Sequence, residues 1–245
     1  MTDGASRRSV GEAYARLAHA QKGHARGAPA YSVYVNRRIG RVLASLAYTW
    51  GLTPNRVTLI SALHTFAGIA LIALATPSFV SGLLIAVLLV LGYAWDSADG
   101  QVARLRGGGS VAGEWLDHFV DALKIATLHL AVLVGLYLHV PSIPPALLMI
   151  PLTYSVVATV TFFGMILNDL LRGSRGMPST HARGGGSATR SLLLLPTDFG
   201  VVCLVFGLWG WTTLFLVAYG GLLLANTVFL GMASVKWFRE MRDAG

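Results

Sequence analysis

Four aspartates fall within one stretch of this chain, WDSADGQVARLRGGGSVAGEWLDHFVDALK, from Trp95 to Lys124. Asp96 and Asp99 stand three residues apart, Asp117 and Asp121 four apart, so on helices each pair shares a face. The glycines Gly107 to Gly109 make a short turn that brings the two faces together. Two carboxylates ~6 Å apart repel by roughly 3 kcal/mol at an effective dielectric of ~20. Several such pairs force protonation or demand a cation. Oxygen ligands without cysteine or histidine suit a hard divalent ion such as Mg²⁺ or Mn²⁺. A solvated run of acids at a helix end is the plainer alternative, but it explains neither the spacing nor the shared faces.

Small residues flank these acids. Gly100 and Ala103 follow Asp99, and Gly113 lies one turn before Asp117. Such spacing permits close approach of a helix or a flat ligand. Beside the aspartates and Arg104 it leaves room for a nucleotide whose phosphates meet the metal. Ser110 is placed to cap the helix that follows.

The elements that position this cluster lie in a membrane. Of 245 residues, 54% are hydrophobic and only 12% charged, about half the charged share of a soluble domain. Apolar runs of about twenty residues match a ~30 Å hydrocarbon layer. They predict an all-α integral membrane protein with six spans, at about Val57–Ala75, Phe79–Ala98, Val111–His139, Pro145–Leu171, Leu192–Trp209 and Thr212–Val235. Residues 51–245 form this transmembrane domain. Residues 31–50 read as an interfacial amphipathic helix. There Val35, Ile39, Val42, Leu43, Leu46 and Trp50 recur at helical spacing, and Arg37, Arg38, Arg41 and Ser45 take the other side. Residues 1–30 are rich in Gly, Ala, Ser, Arg and His and are expected to be disordered, without the pattern of a secretory leader. The single cysteine, Cys203, excludes an internal disulfide and fits no cysteine metal site.

Basic residues set the orientation. Nine of the 19 precede the first span; Arg104 and Arg106 lie between spans two and three; Arg172, Arg175, Arg183 and Arg190 lie between four and five; Lys236, Arg239 and Arg242 follow span six. The opposite loops carry none, which places both termini in the cytoplasm. The net charge of +8 is thus a matter of topology and anionic lipid, with no nucleic-acid module. Lys124 is the exception, inside a span one turn beyond Asp121, where it neutralises Asp121 or Asp117 or holds an acceptor phosphate. Asp169 and Asp198 are placed to pair with the arginines between spans four and five.

The pattern Asp96-x2-Asp99-Gly100-x2-Ala103-Arg104-x8-Gly113-x3-Asp117-x3-Asp121 resembles the full signature of the CDP-alcohol phosphotransferases, membrane enzymes of phospholipid synthesis. The LTPNRVT segment, Leu52 to Thr58, and the six-span layout are also similar. The resemblance implies two divalent ions on Asp96, Asp99, Asp117 and Asp121, with Asp121 also the general base. It implies that Asn55, Thr58, Asp99, Gly100, Ala103, Arg104, Ser110 and Gly113 surround the cytidine diphosphate. The reaction implied is transfer of a phosphatidyl or phospho-alcohol group from a CDP-linked lipid or polyol, CDP-diacylglycerol foremost, to an alcohol or alcohol phosphate, with release of CMP.

On the acceptor side, the resemblance points to arginines between spans four and five, with Arg172 and Arg190 nearest the span ends, and to Lys124. It further implies a homodimer, for which Gly207, Gly220, Gly221 and Gly231 offer small surfaces; the abundance of Arg, Ala and Gly points to a GC-rich bacterium and hence a plasma membrane. One run departs from this branch. GEWLDHFVDAL, Gly113 to Leu123, is similar to the choline and ethanolamine phosphotransferases, whose acceptor is diacylglycerol. In that reading Glu114 and His118 share or take over the acid–base work. A cation transporter is the alternative of a different class, but its acids would lie near the bilayer midplane on broken helices.

Overall fold

The computed structural model describes residues 9–20, 28–177 and 187–243, and the regular elements among them are all helical. Five helices are long and apolar enough to cross a membrane: α3 (Pro54–Leu74), α4 (Phe79–Leu105), α5 (Val111–His139), α6 (Pro145–Ser174) and α9 (Thr212–Asp243). Local chemistry fixes their starts. Thr53 accepts the Arg56 N–H at 3.4 Å, with Pro54 in the first turn of α3. Ser78 and Ser81 cap α4 reciprocally, and Ser110 accepts the Gly113 N–H at 3.1 Å to begin α5. Leu63, Leu83, Leu84, Phe163, Val217 and Leu224 are exposed on the outer faces, where hydrocarbon is the natural solvent.

Helix α3 is the keel of the bundle. It packs along both α4 and α5, whereas α4 and α5 are not packed along each other. Two glycines allow this. A Cβ at Gly92 of α4 would collide with Thr65 of α3, and one at Gly135 of α5 would collide with the Ile72 carbonyl oxygen. The main core lies toward the end of the bundle where α3 meets α4. There Ile72, Ile85, Leu89, Leu128, Leu136, Phe206, Trp209 and Phe215 are buried together. A smaller core of Ala13, Leu17, Ala44, Ala47, Val57, Ala98 and Val102 closes the opposite end. Asp96 and Asp99 fall at the level of the second core, on either side of Ala98 in the sequence of α4.

Two expectations need correction. The predicted span Leu192–Trp209 is not one helix: it breaks into α7 (Ala188–Leu193), a single turn Leu195–Thr197, and α8 (Phe199–Val205), which tightens at Phe206–Leu208. Pro196 brings no N–H, and Asp198 caps a new helix by accepting the Gly200 N–H at 2.9 Å. The apolar run Phe199–Leu208 rises ~15 Å, half of the ~30 Å layer. It runs beside α4, from Tyr93, whose ring meets Phe199 at 5.3 Å, to Gly82, which sits under Phe206 and Trp209.

Second, part of the segment expected to be disordered is helical. α1 (Val10–Ala20) buries Ala13 and Leu17, and Arg16 donates to the Leu105 carbonyl at 3.4 Å. The rest of that call on residues 1–8 and 21–27 lies outside the described residues. A helix is present where one was expected over 31–50, and it opens with wide turns at Ser32–Asn36 before α2 (Arg37–Thr49). α2 packs on α4 through small residues, Gly40, Ala44 and Ala47, and also buries Ser45. Val35, Ile39, Val42 and Trp50 of the apolar stripe stay exposed.

The Gly135 contact gives a stability test. Gly135→Leu should push α5 from α3 and cost about 1–3 kcal/mol, read as a lowered unfolding midpoint in detergent. Gly207→Ala, whose added methyl meets nothing within 4 Å, should leave the midpoint unchanged.

Candidate active site

Because α3 separates α4 from α5, side chains from the two helices can face one another across a gap. Asp96 and Asp99 project from α4, and Asp117 and Asp121 from α5. Each of the four carboxylates interacts electrostatically with the other three. The convergence expected from the spacing is therefore present, with α3 as the spacer.

Each carboxylate is held differently. Asp99 is buried; it accepts the Thr58 hydroxyl at 2.7 Å and the Gly100 N–H at 2.5 Å. Thr58 is itself buried at the start of α3, so the keel helix grips the α4 side of the site directly. Asp96 and Asp121 share a cation: the Lys124 ammonium lies 2.5 Å from Asp121 and 3.4 Å from Asp96. Lys124 is only 5% exposed, and the Phe199 ring of α8 lies 5.2 Å from its nitrogen. On α5, one ligand atom from each of Asp117, His118 and Asp121 falls within 4.8 Å of the others. The His118 ring meets Phe162 of α6 edge-on at 6.5 Å, and its Nδ1 is buried without a hydrogen-bond partner.

The remaining predicted residues lie on α3, α4 and α5 and at the turn between α4 and α5. A Cβ at Gly113 would stand 3.0 Å from Asn55 Oδ1 and 3.2 Å from Ser110 Oγ, so the starts of α3 and α5 meet there. A Cβ at Gly100 would meet nothing nearer than the Arg104 guanidinium at 3.7 Å, which leaves that face of α4 open. Ala103 is buried, Arg104 and Glu114 exposed. Both Gly107 and Gly108 adopt positive φ, +95° and +137°, in the turn between the helices.

Of the acceptor-side arginines, Arg172 pairs with Glu240 of α9 at 3.1 Å, and Arg190 is exposed on α7. Arg183 lies outside the described residues. Asp198 meets hydrogen-bond donors of another kind: besides the Gly200 N–H, it accepts the Ser32 N–H at 2.7 Å and the Tyr93 hydroxyl at 3.4 Å. The Ser32 and Tyr93 hydroxyls also bond each other. Tyr93 lies one turn before Asp96, so this clasp sets α8, and with it Phe199, against Lys124. Sequence reasoning missed the clasp; the Pro196-x-Asp198 break was its only trace.

The family model described as CDP-alcohol phosphatidyltransferase matches residues 51–235. Archaetidylinositol phosphate synthase of Pyrococcus horikoshii is 35% identical over 100 residues, 40% of this chain and 47% of that protein. Phosphatidylinositol phosphate synthase of Corynebacterium glutamicum is 38% identical over 86 residues, 35% of this chain and 37% of that protein. The match thus spans less than half the length of either curated relative. In fold, the chain is similar to phosphatidylinositol phosphate synthase of Mycobacterium tuberculosis, crystallised with manganese and citrate. The TM-score is 0.50 at 22% identity, over 80% of this chain and 87% of that one. With a family match that runs from before the keel helix into α9 and takes in all four facing aspartates, the chain belongs to the CDP-alcohol phosphatidyltransferase family.

Proposed function

We propose that this protein transfers a phosphatidyl or phospho-alcohol group from a CDP-alcohol to an alcohol acceptor and releases CMP, with CDP-diacylglycerol as the expected donor. The observation that carries this reading is the set of four carboxylates facing one gap with a single buried ammonium against them. That donor set fits a divalent cation: it is rich in hard oxygen, and its negative charge exceeds what Lys124 offsets. Asp96, Asp99, Asp117 and Asp121 would hold Mg²⁺ or Mn²⁺, two ions by the resemblance. When bound, such ions neutralise the pyrophosphate of the donor and the charge growing on the leaving phosphate.

The chain's own groups supply the rest. Thr58 holds Asp99 in one orientation through the 2.7 Å hydrogen bond. Asn55, Gly100, Ala103, Arg104, Ser110 and Gly113 form the floor and rim against which the cytidine diphosphate lies. Asp121 is the base: it takes the acceptor's hydroxyl proton as that oxygen attacks the β-phosphorus and the bond to CMP breaks. Lys124 fixes Asp121 in place and ties it to Asp96. Arginines Arg172 and Arg190 sit at the same end of the bundle for a phosphorylated acceptor. The Arg-bearing end faces the cytoplasm under the positive-inside rule. Open space beside Gly221 and Gly231 on α9 suits a second copy of the chain.

Removal of a ligand tests the reaction. Asp99→Asn and Asp121→Asn should each lower CMP release from CDP-diacylglycerol by about 10²–10⁴-fold in detergent, with the unfolding midpoint retained. EDTA should abolish the activity and Mg²⁺ or Mn²⁺ restore it. Turnover kept by either variant would exclude the assignment.

Lys124 makes a separate prediction. Lys124→Met should destabilise the fold by about 3–5 kcal/mol, because it strands two partly buried carboxylates. The double variant with Asp96→Asn should recover part of that loss in thermal unfolding. An unchanged midpoint in the single variant would mean that the ion pair holds nothing in place.

A further inference from the structure

The break between α7 and α8 is gripped from two sides. Among apolar helices, an interrupted helix leaves backbone carbonyls that need a donor. Asn226 of α9 supplies one: its amide donates to the Pro196 carbonyl at 3.2 Å and to the Tyr154 hydroxyl at 2.9 Å. Satisfying the carbonyl would need only the first of these bonds. The second keys the break to α5, because the buried Tyr154 ring of α6 stacks on His129 at 4.0 Å. Ser155, beside Tyr154, also donates to the Ala126 carbonyl of α5 at 3.3 Å. His129 and Ala126 belong to the helix that carries Lys124 and Asp121.

Asp198, two residues after Pro196, ties the break to the other wall. Through Tyr93 it is referenced to α4, one turn from Asp96. Phe199 follows directly, with its ring 5.2 Å from the Lys124 ammonium. That ammonium bridges Asp96 of α4 and Asp121 of α5. Two closed circuits of contacts thus pass through Phe199, one by way of each helix that the ammonium joins. A ring so placed attracts the cation by its quadrupole and leaves the ammonium protons to the two carboxylates.

We propose that Asn226 and Asp198 are positioning residues of the transfer reaction: together they hold Phe199 against Lys124, so that the ammonium fixes the direction of Asp121 while it stays bonded to Asp96. This rests on the transferase reading above, in which Asp121 is the base. Neither residue needs to touch substrate. Each acts through Phe199, and Phe199 acts through Lys124. A shifted break would let the ammonium drift toward one carboxylate, and the base would lose its aim before any helix unfolded.

The test uses the full-length protein in nanodiscs, with CDP-diacylglycerol as donor and a panel of free and phosphorylated alcohols as acceptors. Phe199→Leu keeps an apolar side chain but removes the ring. It should lower kcat about tenfold, leave the KM for CDP-diacylglycerol within about twofold and keep the unfolding midpoint. Phe199→Tyr should recover most of the lost kcat. Asn226→Leu should lower kcat about fivefold alone but less than about twofold in the Phe199→Leu background, since both changes act at one ring. Should Asn226→Leu fail to fold, Asn226→Ser, which keeps a donor but not its reach, takes its place. A second readout needs no turnover. In protein labelled with ¹³C at the ε-carbons of Lys22, Lys124 and Lys236, the Lys124 resonance should move in the Phe199 and Asn226 variants alike. It should stay in place in Val217→Trp, on the exposed face of α9. Additive losses in kcat, full activity of Phe199→Leu, or an unmoved Lys124 resonance in the Asn226 variant would each overturn the inference while the transferase stands. Wild-type protein that releases no CMP with any acceptor would overturn the transferase reading, and a moved resonance would still uphold the grip on Phe199.

Discussion

Charge held short of balance organises this molecule. Four carboxylates meet in a gap where one ammonium, Lys124, reaches two of them, and the low-dielectric surroundings make the deficit costly. Nearly every other feature of the bundle answers to that cost. Helix α3 keeps α4 and α5 from closing on the gap, Thr58 fixes one acid, and Phe199 covers the ammonium. Two apolar cores, the smaller of which takes in Ala98 beside Asp99, supply the burial that keeps the charged layer in place. The polar layer is thereby left with the charge deficit that the proposed cations would meet.

The reactive face was legible because helical geometry turns spacing into direction. Three- and four-residue intervals between acids can be read without coordinates, and so can the small residues that let backbones or ligands approach. The four long helices around the site followed from apolar length alone, although α4 continues to Leu105, past the expected end at Ala98. That extension places Gly100, Ala103 and Arg104 on the same rigid helix as the aspartates.

What could not be read depends on partners far away in the chain. Lys124 was expected to face Asp121 or Asp117; its bond to Asp96 crosses the gap, which no one-helix pattern encodes. Arg172 looked like a phosphate ligand from its place at a span end, yet it meets Glu240 across α6 and α9. The break at Pro196 and Asp198 was masked by the apolar residues around it, because average hydropathy over a window is blind to one missing N–H. The grip of Asn226 on the break joins two elements at once, and it surfaces only when α9 and Pro196 are placed in space.

The clasp at Asp198 bears on how the chain is made. Ser32 donates its backbone N–H to a carboxylate 166 residues later, so the bond must wait until the helices between them have been made. Contacts this distant in sequence carry a loop-closure cost that local helix formation does not. The hairpin of α3 and α4, with α2 packed on α4, can form before Asp198 is available to Ser32. The clasp is therefore a late fastening, in which a segment ahead of the first spanning helix is buttoned onto one that follows the fourth.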